Sequence, residues 1–393
     1  MGQFVDIIQG NILDVVKNLP TIHCVITSPP YFRKREYGNN PQEIGRESSI
    51  DKFVDSLHEV FTALPLHHRG SVWINIGDTR NIQSGLSLVP EHFAIKMQES
   101  GWQLVDNVIW AKMIVRQDGS SEGGCMIEPA RGRLNGNGYE NFYRFVKCRD
   151  ALKAWTDEHA VRIPRENVTD EFQLGDRHLP SSLMSSETDI TGRNLSNVWR
   201  LPPGQTRSKH YAVYPAALCE RCVAMTCPLF VCSKCDHLRA RQIEMQEYTE
   251  FRHASRVRNS DLFVDDHGVE DMLTVLDQAQ SKRIFGKYTS IDNYQPSTSK
   301  TLSGRADVGR QYVPRFPRTV GWTDCGHNLY EPGIVLDPFV GSGSTGEVAL
   351  KMGRSFIGVD LYSNFADMAK QRCQGILDQI DSGDIPPAIQ QYS

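Results

Sequence analysis

The stretch Thr27-Ser28-Pro29-Pro30-Tyr31 follows the apolar run His23-Cys24-Val25-Ile26, which predicts a buried strand. Two consecutive prolines lack N–H groups and fix φ, so the chain is expected to leave that strand as a stiff loop. The carbonyls of Ser28 and Pro29 then have no donor inside the loop. With the Ser28 hydroxyl and the Tyr31 ring beside them, they suit a planar group that carries an NH2, as a nucleobase does. Near the other end, Ile334-Val335-Leu336 predicts a short strand running into Asp337-Pro338-Phe339-Val340-Gly341-Ser342-Gly343-Ser344-Thr345-Gly346. A helix from Glu347 to Met352 and a strand from Phe356 to Val359 follow, ending at Asp360. Glycines at 341, 343 and 346 satisfy a dinucleotide-type pattern, and Asp360 stands where an acid takes ribose hydroxyls. Too few residues follow Asp360 for the strand-helix units a dinucleotide fold needs, so the sheet is expected to be completed by N-terminal strands.

The cysteines offer metal chemistry. Of ten, five fall between Cys219 and Cys235; the sequence holds no long apolar run, and no signal sequence is expected. A reducing cytoplasm and a metal site are expected in place of disulfides. Cys232-Ser233-Lys234-Cys235 has knuckle spacing, and Cys325-Gly326-His327 supplies two further donors. Cys219 and Cys222 could pair with Cys232 and Cys235 instead. The formal net charge of −4 gives no global attraction to nucleic acid. A local basic patch, eight Lys or Arg against two acids between Ser281 and Val320, is the expected site of phosphate contacts.

The elements that position these groups alternate. Phe4–Ile8 reads as a strand ending at Gly10-Asn11, Ile12–Leu19 as a helix, and His23–Thr27 as the next strand. Phe32-Arg33-Lys34-Arg35-Glu36-Tyr37-Gly38 is expected to be a mobile loop beside the pocket. Phe53, Val54, Leu57, Val60, Phe61 and Leu64 follow helical spacing, before strands at Ser71–Ile76 and Gln103–Trp110 with a helix at about 90–100 between them. From Met113 to Leu195 periodicity fades, apart from a strand at Phe142–Val146. Asp236 to Thr319 is read as an inserted recognition element.

The proline loop resembles the Ser/Asp/Asn-Pro-Pro-Tyr motif of amino-methylating DNA methyltransferases. Asp-Pro-Phe-x-Gly-Ser-Gly resembles their S-adenosylmethionine signature, and the order of the two resembles the β class. The resemblance implies an α/β, Rossmann-like class I methyltransferase sheet, circularly permuted, with an inserted recognition region and a zinc ribbon. It divides the chain into a catalytic half (1–112), a variable region (113–195), a cofactor-flanking segment (196–226), a zinc-ribbon and basic insertion (227–330) and a cofactor-binding half (331–393). It implies catalytic roles for Ser28, Pro29, Pro30 and Tyr31, and cofactor contacts from Asn11, Tyr211, Pro215, Asp337, Phe339, Gly341, Gly343, Thr345 and Asp360. Asp337 would face the cofactor's cationic groups, and Phe339 would offer it an aromatic face. Asn11 departs from the acid usual in the family at that position, although a carboxamide can still accept one bond and donate another.

The resemblance also favours zinc on Cys232, Cys235, Cys325 and His327. A serine at position 28 goes in this family with N4 of cytosine more often than with N6 of adenine. The expected partners are double-stranded DNA and a cognate restriction endonuclease, in a cytoplasmic bacterial, archaeal or phage setting without a membrane. The chain contains no Pro-Cys dipeptide, which sets aside carbon-5 methylation. The competing readings are a zinc-stabilised DNA-binding protein with a vestigial cofactor fold, and methylation of RNA or of a protein glutamine.

Overall fold

A computed structural model describes residues 2–81, 85–115, 121–123, 138–147, 150–161, 195–204, 214–247 and 315–385. Its centre is built from strands whose apolar runs are continuous, because both faces are covered by helices. Strand β1 (Val5–Gln9) leads through α1 (Ile12–Val15) to β2 (Ile22–Thr27), every residue of which is buried. Helix α2 (Ile50–Ala63) begins where Ser49 Oγ accepts from Lys52 N. It buries Phe53, Val54, Leu57, Val60 and Phe61 as one stripe and stops before Pro65. Strand β3 (Leu66–Ile76), the short pair β4 (Arg80–Asn81) and β5 (Gly85–Leu86), α3 (Val89–Glu99), β6 (Gln103–Val115), β7 (Ser121–Gly123) and β8 (Tyr139–Val146) follow. Next come β9 (Val198–Leu201), α4 (Ala216–Thr226), β10 (Val231–Cys232), β11 (Arg241–Glu247), β12 (Arg315–Trp322) and β13 (Tyr330–Glu331). The described chain closes with β14 (Ile334–Asp337), α5 (Ser344–Lys351), β15 (Ser355–Asp360) and α6 (Ser363–Asp381).

Among the described residues, nine strands form one sheet in the order β1-β15-β14-β2-β3-β8-β6-β7, with β9 beside β6. The run from β1 to β3 is parallel, β8 is antiparallel to both β3 and β6, and β9 is parallel to β6. Late strands β14 and β15 are thus flanked by early strands β2 and β1. Successive residues alternate between two cores. Cys24, Trp73, Val335 and Phe356 pack with α4, α5 and α6, whereas Val25, Val72, Leu336 and Ile357 pack with α2 and α3.

Two compact units are distinguished, 1–242 with 320–393, and 243–319. The described part of the second consists of the outer residues of β11 and β12, which pair with each other. These limits differ from the expected ones: residue 112 lies inside β6, and β8, within the span expected to be variable, is a central strand of the sheet. The helix expected to Leu19 is α-helical only to Val15, with a 3-10 turn at Val16–Asn18, because Leu19 turns extended ahead of Pro20. Strand β3 starts at Leu66, five residues before its expected start at Ser71. Phe32, expected in a charged mobile loop, is buried against Phe53. Most of the basic patch at 281–320 lies outside the described residues.

Candidate active site

In an open parallel sheet the crevice opens at the carboxyl ends of neighbouring strands whose connections run to opposite sides. Here those neighbours are β2 and β14, in register as Cys24 with Val335 and Val25 with Leu336. The proline loop and the glycine loop therefore leave the sheet side by side. A cavity of about 510 Å³ lies between them. Ser28, Pro29, Pro30 and Tyr31 all line it, as do Asn11, Asp337, Phe339, Gly341 and Asp360.

Three expected cofactor residues stand behind this wall. Pro215 is buried as the residue preceding α4, and it is Tyr214 that lines the cavity. Gly343 has φ of +80°, and a Cβ there would lie 2.9 Å from Ala369 Cα, so it serves the close approach of α6. Thr345 is buried and donates to Asp337 Oδ2 at 2.6 Å. Tyr211 lies outside the described residues.

Asp337 is tied down on both oxygens. Its Oδ1 accepts from Thr27 Oγ1 at 2.6 Å and from Phe339 N at 3.1 Å. Its Oδ2 accepts from Thr345 Oγ1 and, at 3.3 Å, from Tyr214 Oη. Burial pushes this carboxyl up, against the opposing pull of its donors. Asp360 accepts from Gly341 N and Tyr362 N, each at 3.0 Å, and burial raises it to about 6. Asn11 uses its Oδ1 to accept from Leu13 N at 2.9 Å, capping α1.

The proline loop rests on residues that motif reading did not single out. Because β8 is antiparallel to β3 and β6, its first residues meet the end of β3 and the later half of β6, with Ile76 opposite Asn141 and Trp110 opposite Glu140. Glu140 Oε2 accepts from Tyr31 Oη at 2.7 Å and from Asn75 Nδ2 at 2.8 Å, and its Oε1 accepts from Lys112 Nζ at 2.6 Å. Burial alone would raise the Glu140 carboxyl, but the Lys112 charge and the donated hydrogen bonds outweigh it and hold it below its ordinary value. Tyr31 is driven well above the usual tyrosine range by burial and by the neighbouring Glu140 charge. Lys34 Nζ sits 5.0 Å over the Tyr31 ring, and a Cβ on Gly77 would come within 2.7 Å of it.

The segment after the loop is held as well. Glu43 accepts from Tyr37 N at 3.0 Å, from Gly38 N at 3.2 Å and from Tyr362 Oη. The available signals for these residues were polar side chains in apolar runs: Asn75 within Val72–Ile76, and Glu140 just before Phe142–Val146.

In a separate two-stranded sheet β10 pairs with β13, placing Cys232 opposite Tyr330. The ligand atoms of Cys232, Cys235, Cys325 and His327 all lie within 4.8 Å of one another. Cys219 and Cys222, the alternative pair, are buried in the core on α4.

Comparison with known proteins gives this architecture its family. The N6/N4 methyltransferase family model, described as DNA methylase, matches residues 22–229 and 325–371. The chain belongs to this family and is a DNA methyltransferase. The type II methyltransferase M.SfiI of Streptomyces fimbriatus is 24% identical over 392 residues, covering 91% of this chain and 88% of its own length. M.SmaI of Serratia marcescens is 25% identical over 249 residues, covering 55% of this chain and 73% of its own. Among solved structures, the cytosine-N4-specific PvuII DNA methyltransferase aligns over 98% of this chain and 94% of its own, at 14% identity and a TM-score of 0.47. Among the described residues, no helix is long and apolar enough to cross a membrane.

Proposed function

We propose that this chain transfers a methyl group from S-adenosylmethionine to the exocyclic N4 amine of cytosine in double-stranded DNA, using a permuted methyltransferase fold. The observation that supports it most is the meeting of the Ser-Pro-Pro-Tyr and Asp-Pro-Phe-x-Gly-Ser-Gly loops on one cavity at adjacent strand ends. An exocyclic amine is a poor nucleophile because its lone pair is delocalised into the ring. Ser28 Oγ and the Pro29 carbonyl accept its two hydrogens and so localise that pair on nitrogen. The target base leaves the duplex to reach them, and Tyr31 packs on it. Catalysis is then a matter of positioning and electrostatics, with no covalent intermediate on the enzyme.

The cavity fits the methyl donor. A Cβ on Gly341 would meet only Phe339 O, at 3.9 Å, so the missing side chain leaves the wall open. Phe339, Leu361 and Phe365 supply apolar surface, and Asp360 a carboxylate for sugar hydroxyls. When bound, S-adenosylmethionine supplies the electrophilic methyl group. Asp337 acts by fixing the loop through its four donors, and its charge serves the donor's cationic groups from behind. Zinc fits Cys232, Cys235, Cys325 and His327, since ligands about 2.0–2.3 Å from a tetrahedral ion lie within such a cluster. Its role is structural. As with relatives named type II methyltransferases, we assign the enzyme a restriction-modification setting with a partner endonuclease.

The test is to methylate DNA with the pure enzyme and digest it to nucleosides. N4-methylcytosine is the expected product by mass. N6-methyladenine alone would move the activity to the alternative base, and no methylated nucleoside would overturn the proposal.

A further inference from the structure

Methyl transfer to an amine leaves one proton to be removed, and the Ser28 form of the loop cannot hold it. Resting on the activity proposed above, the balance is as follows. An N–C bond forms as the donor's C–S bond breaks with its electron pair staying on sulfur, so the positive charge passes from sulfur to nitrogen. Loss of one N–H proton discharges it. A carboxylate in the position of Ser28 could take that proton itself. A hydroxyl that takes one must pass its own proton on.

The structure supplies a next acceptor. Asn75 Nδ2 lies 3.5 Å from Ser28 Oγ, 3.0 Å from Tyr31 Oη and 2.8 Å from Glu140 Oε2, so three oxygens gather around one amide nitrogen. Tyr31 Oη already donates to Glu140 Oε2 at 2.7 Å. The Asn75 amide thus holds the Ser28 and Tyr31 hydroxyls on one nitrogen, and the Ser28 hydroxyl opposes the rise that burial causes in Tyr31. Glu140 is buried, and the groups that face it are Lys112, Lys34, Tyr31 and Asn75. The 2.6 Å Lys112 contact keeps it ionised at rest.

We propose that Glu140 is the terminal proton acceptor of the reaction, reached from the target amine through the Ser28 and Tyr31 hydroxyls. The amine proton moves to Ser28 Oγ as the Ser28 proton moves to Tyr31 Oη and the Tyr31 proton to Glu140 Oε2. The methylated amine, Ser28 and Tyr31 end neutral and Glu140 ends protonated. It returns its proton to water when the product leaves the cavity. A carboxylate held below its ordinary value is still a sufficient base, because an amine whose lone pair belongs to a heteroaromatic ring is a very strong acid once alkylated and charged. Tyr31 thereby has a second task besides packing on the base: its hydroxyl is the link.

The experiment measures single-turnover transfer of tritiated methyl groups from S-adenosylmethionine to unmethylated phage genomic DNA, with enzyme in excess. Wild type is compared with Glu140→Gln, Tyr31→Phe, their combination and Glu140→Asp. Glutamine can still accept from Tyr31 but cannot take a proton, and phenylalanine keeps the ring without the link. Each single variant is expected to transfer at least about 100-fold more slowly, the scale of a lost general base. Cofactor affinity by calorimetry and DNA affinity by fluorescence anisotropy are expected to stay within about twofold, because the change is confined to a step after binding. The double variant is expected to lie within about threefold of the slower single, since both act on one path. Glu140→Asp, which restores a carboxylate, is expected to recover at least about tenfold of the glutamine loss.

A Glu140→Gln enzyme within about threefold of wild type, effects that multiply in the double variant, or no recovery by aspartate would each overturn the relay. Wild type that transfers no tritium to DNA would instead remove the methyl-transfer reading beneath it.

Discussion

Thr27 Oγ1 donates to Asp337 Oδ1 at 2.6 Å across 310 positions of sequence. The bond joins the residue before the proline loop to the residue that opens the glycine loop, both buried. It sets the spacing of the two loops, and with it the distance between the two groups that are to react.

Removing this bond separates two effects. Thr27→Val keeps the shape and leaves a buried carboxylate one donor short, which costs about 1.5–3 kcal/mol of stability in urea unfolding. Asp337→Ala frees Thr27, Phe339 N, Thr345 and Tyr214 together, and is expected to weaken S-adenosylmethionine binding in calorimetry. Retained affinity in Asp337→Ala would show that the glycine loop holds its form without this anchor.

Cofactor binding should depend on pH through Asp360. Its carboxyl is raised by burial from 3.8 to about 6, so the stability tied to the protonated form is present below 3.8 and is lost as pH rises through about 6. Sugar hydroxyls donate to the ionised form, so binding strengthens over the same window. The thermal shift given by S-adenosylmethionine is therefore expected to be larger at pH 7.5 than at pH 5, and to lose that difference in Asp360→Asn. Equal shifts at both pH values in the native enzyme would remove Asp360 from the cofactor.

Gly77 fixes the plane of Tyr31, since a Cβ at position 77 would stand 2.7 Å from the ring. Gly77→Ala is expected to tilt Tyr31 and weaken binding of the extrahelical base, with cofactor affinity unchanged. Tyr31→Ala should lose the packing itself, about 1–3 kcal/mol per base. Fluorescence of a 2-aminopurine probe at the target position reads both variants. A probe signal in Gly77→Ala equal to that of the native enzyme would mean the ring tolerates the displacement.

The metal site predicts one zinc per chain. Elemental analysis should find it lost in Cys325→Ser and kept in Cys219→Ser, because Cys219 is packed in the core on α4, away from the four clustered donors. The reverse pattern would move the metal to the four-cysteine arrangement of Cys219, Cys222, Cys232 and Cys235.

Much of this site could be read from the chain because its parts are local. A strand, a proline pair and an aromatic residue are contiguous, as are the glycines after Asp337. The apolar stripe of α2 and the two-sided burial of β2 were equally direct. Glu140 and Lys112 were not, because their meeting depends on β8 running antiparallel between β3 and β6, a pairing that no periodicity encodes. Their stretch was also masked by neighbouring segments without a clear repeat. Asp337 illustrates a different limit: its type was informative, but only the structure shows both oxygens engaged by Thr27, Phe339, Thr345 and Tyr214. Pro215 was named only through the resemblance, whereas the structure places the neighbouring Tyr214 ring on the cavity wall.

The position of β14 between β2 and β15 also sets a timetable for synthesis. Strand β3 reaches β2 early, but the other edge of β2 waits for a partner about 300 residues further on, a delay on the order of 15–60 s at ordinary elongation rates. During that interval a strand rich in apolar residues stands with one edge open beside the ribosome, inviting pairing with any other extended chain. The enzyme is thus a candidate client of chaperones that act during translation, and its yield in a heterologous host should respond to slower growth temperature more than to any change in the finished fold.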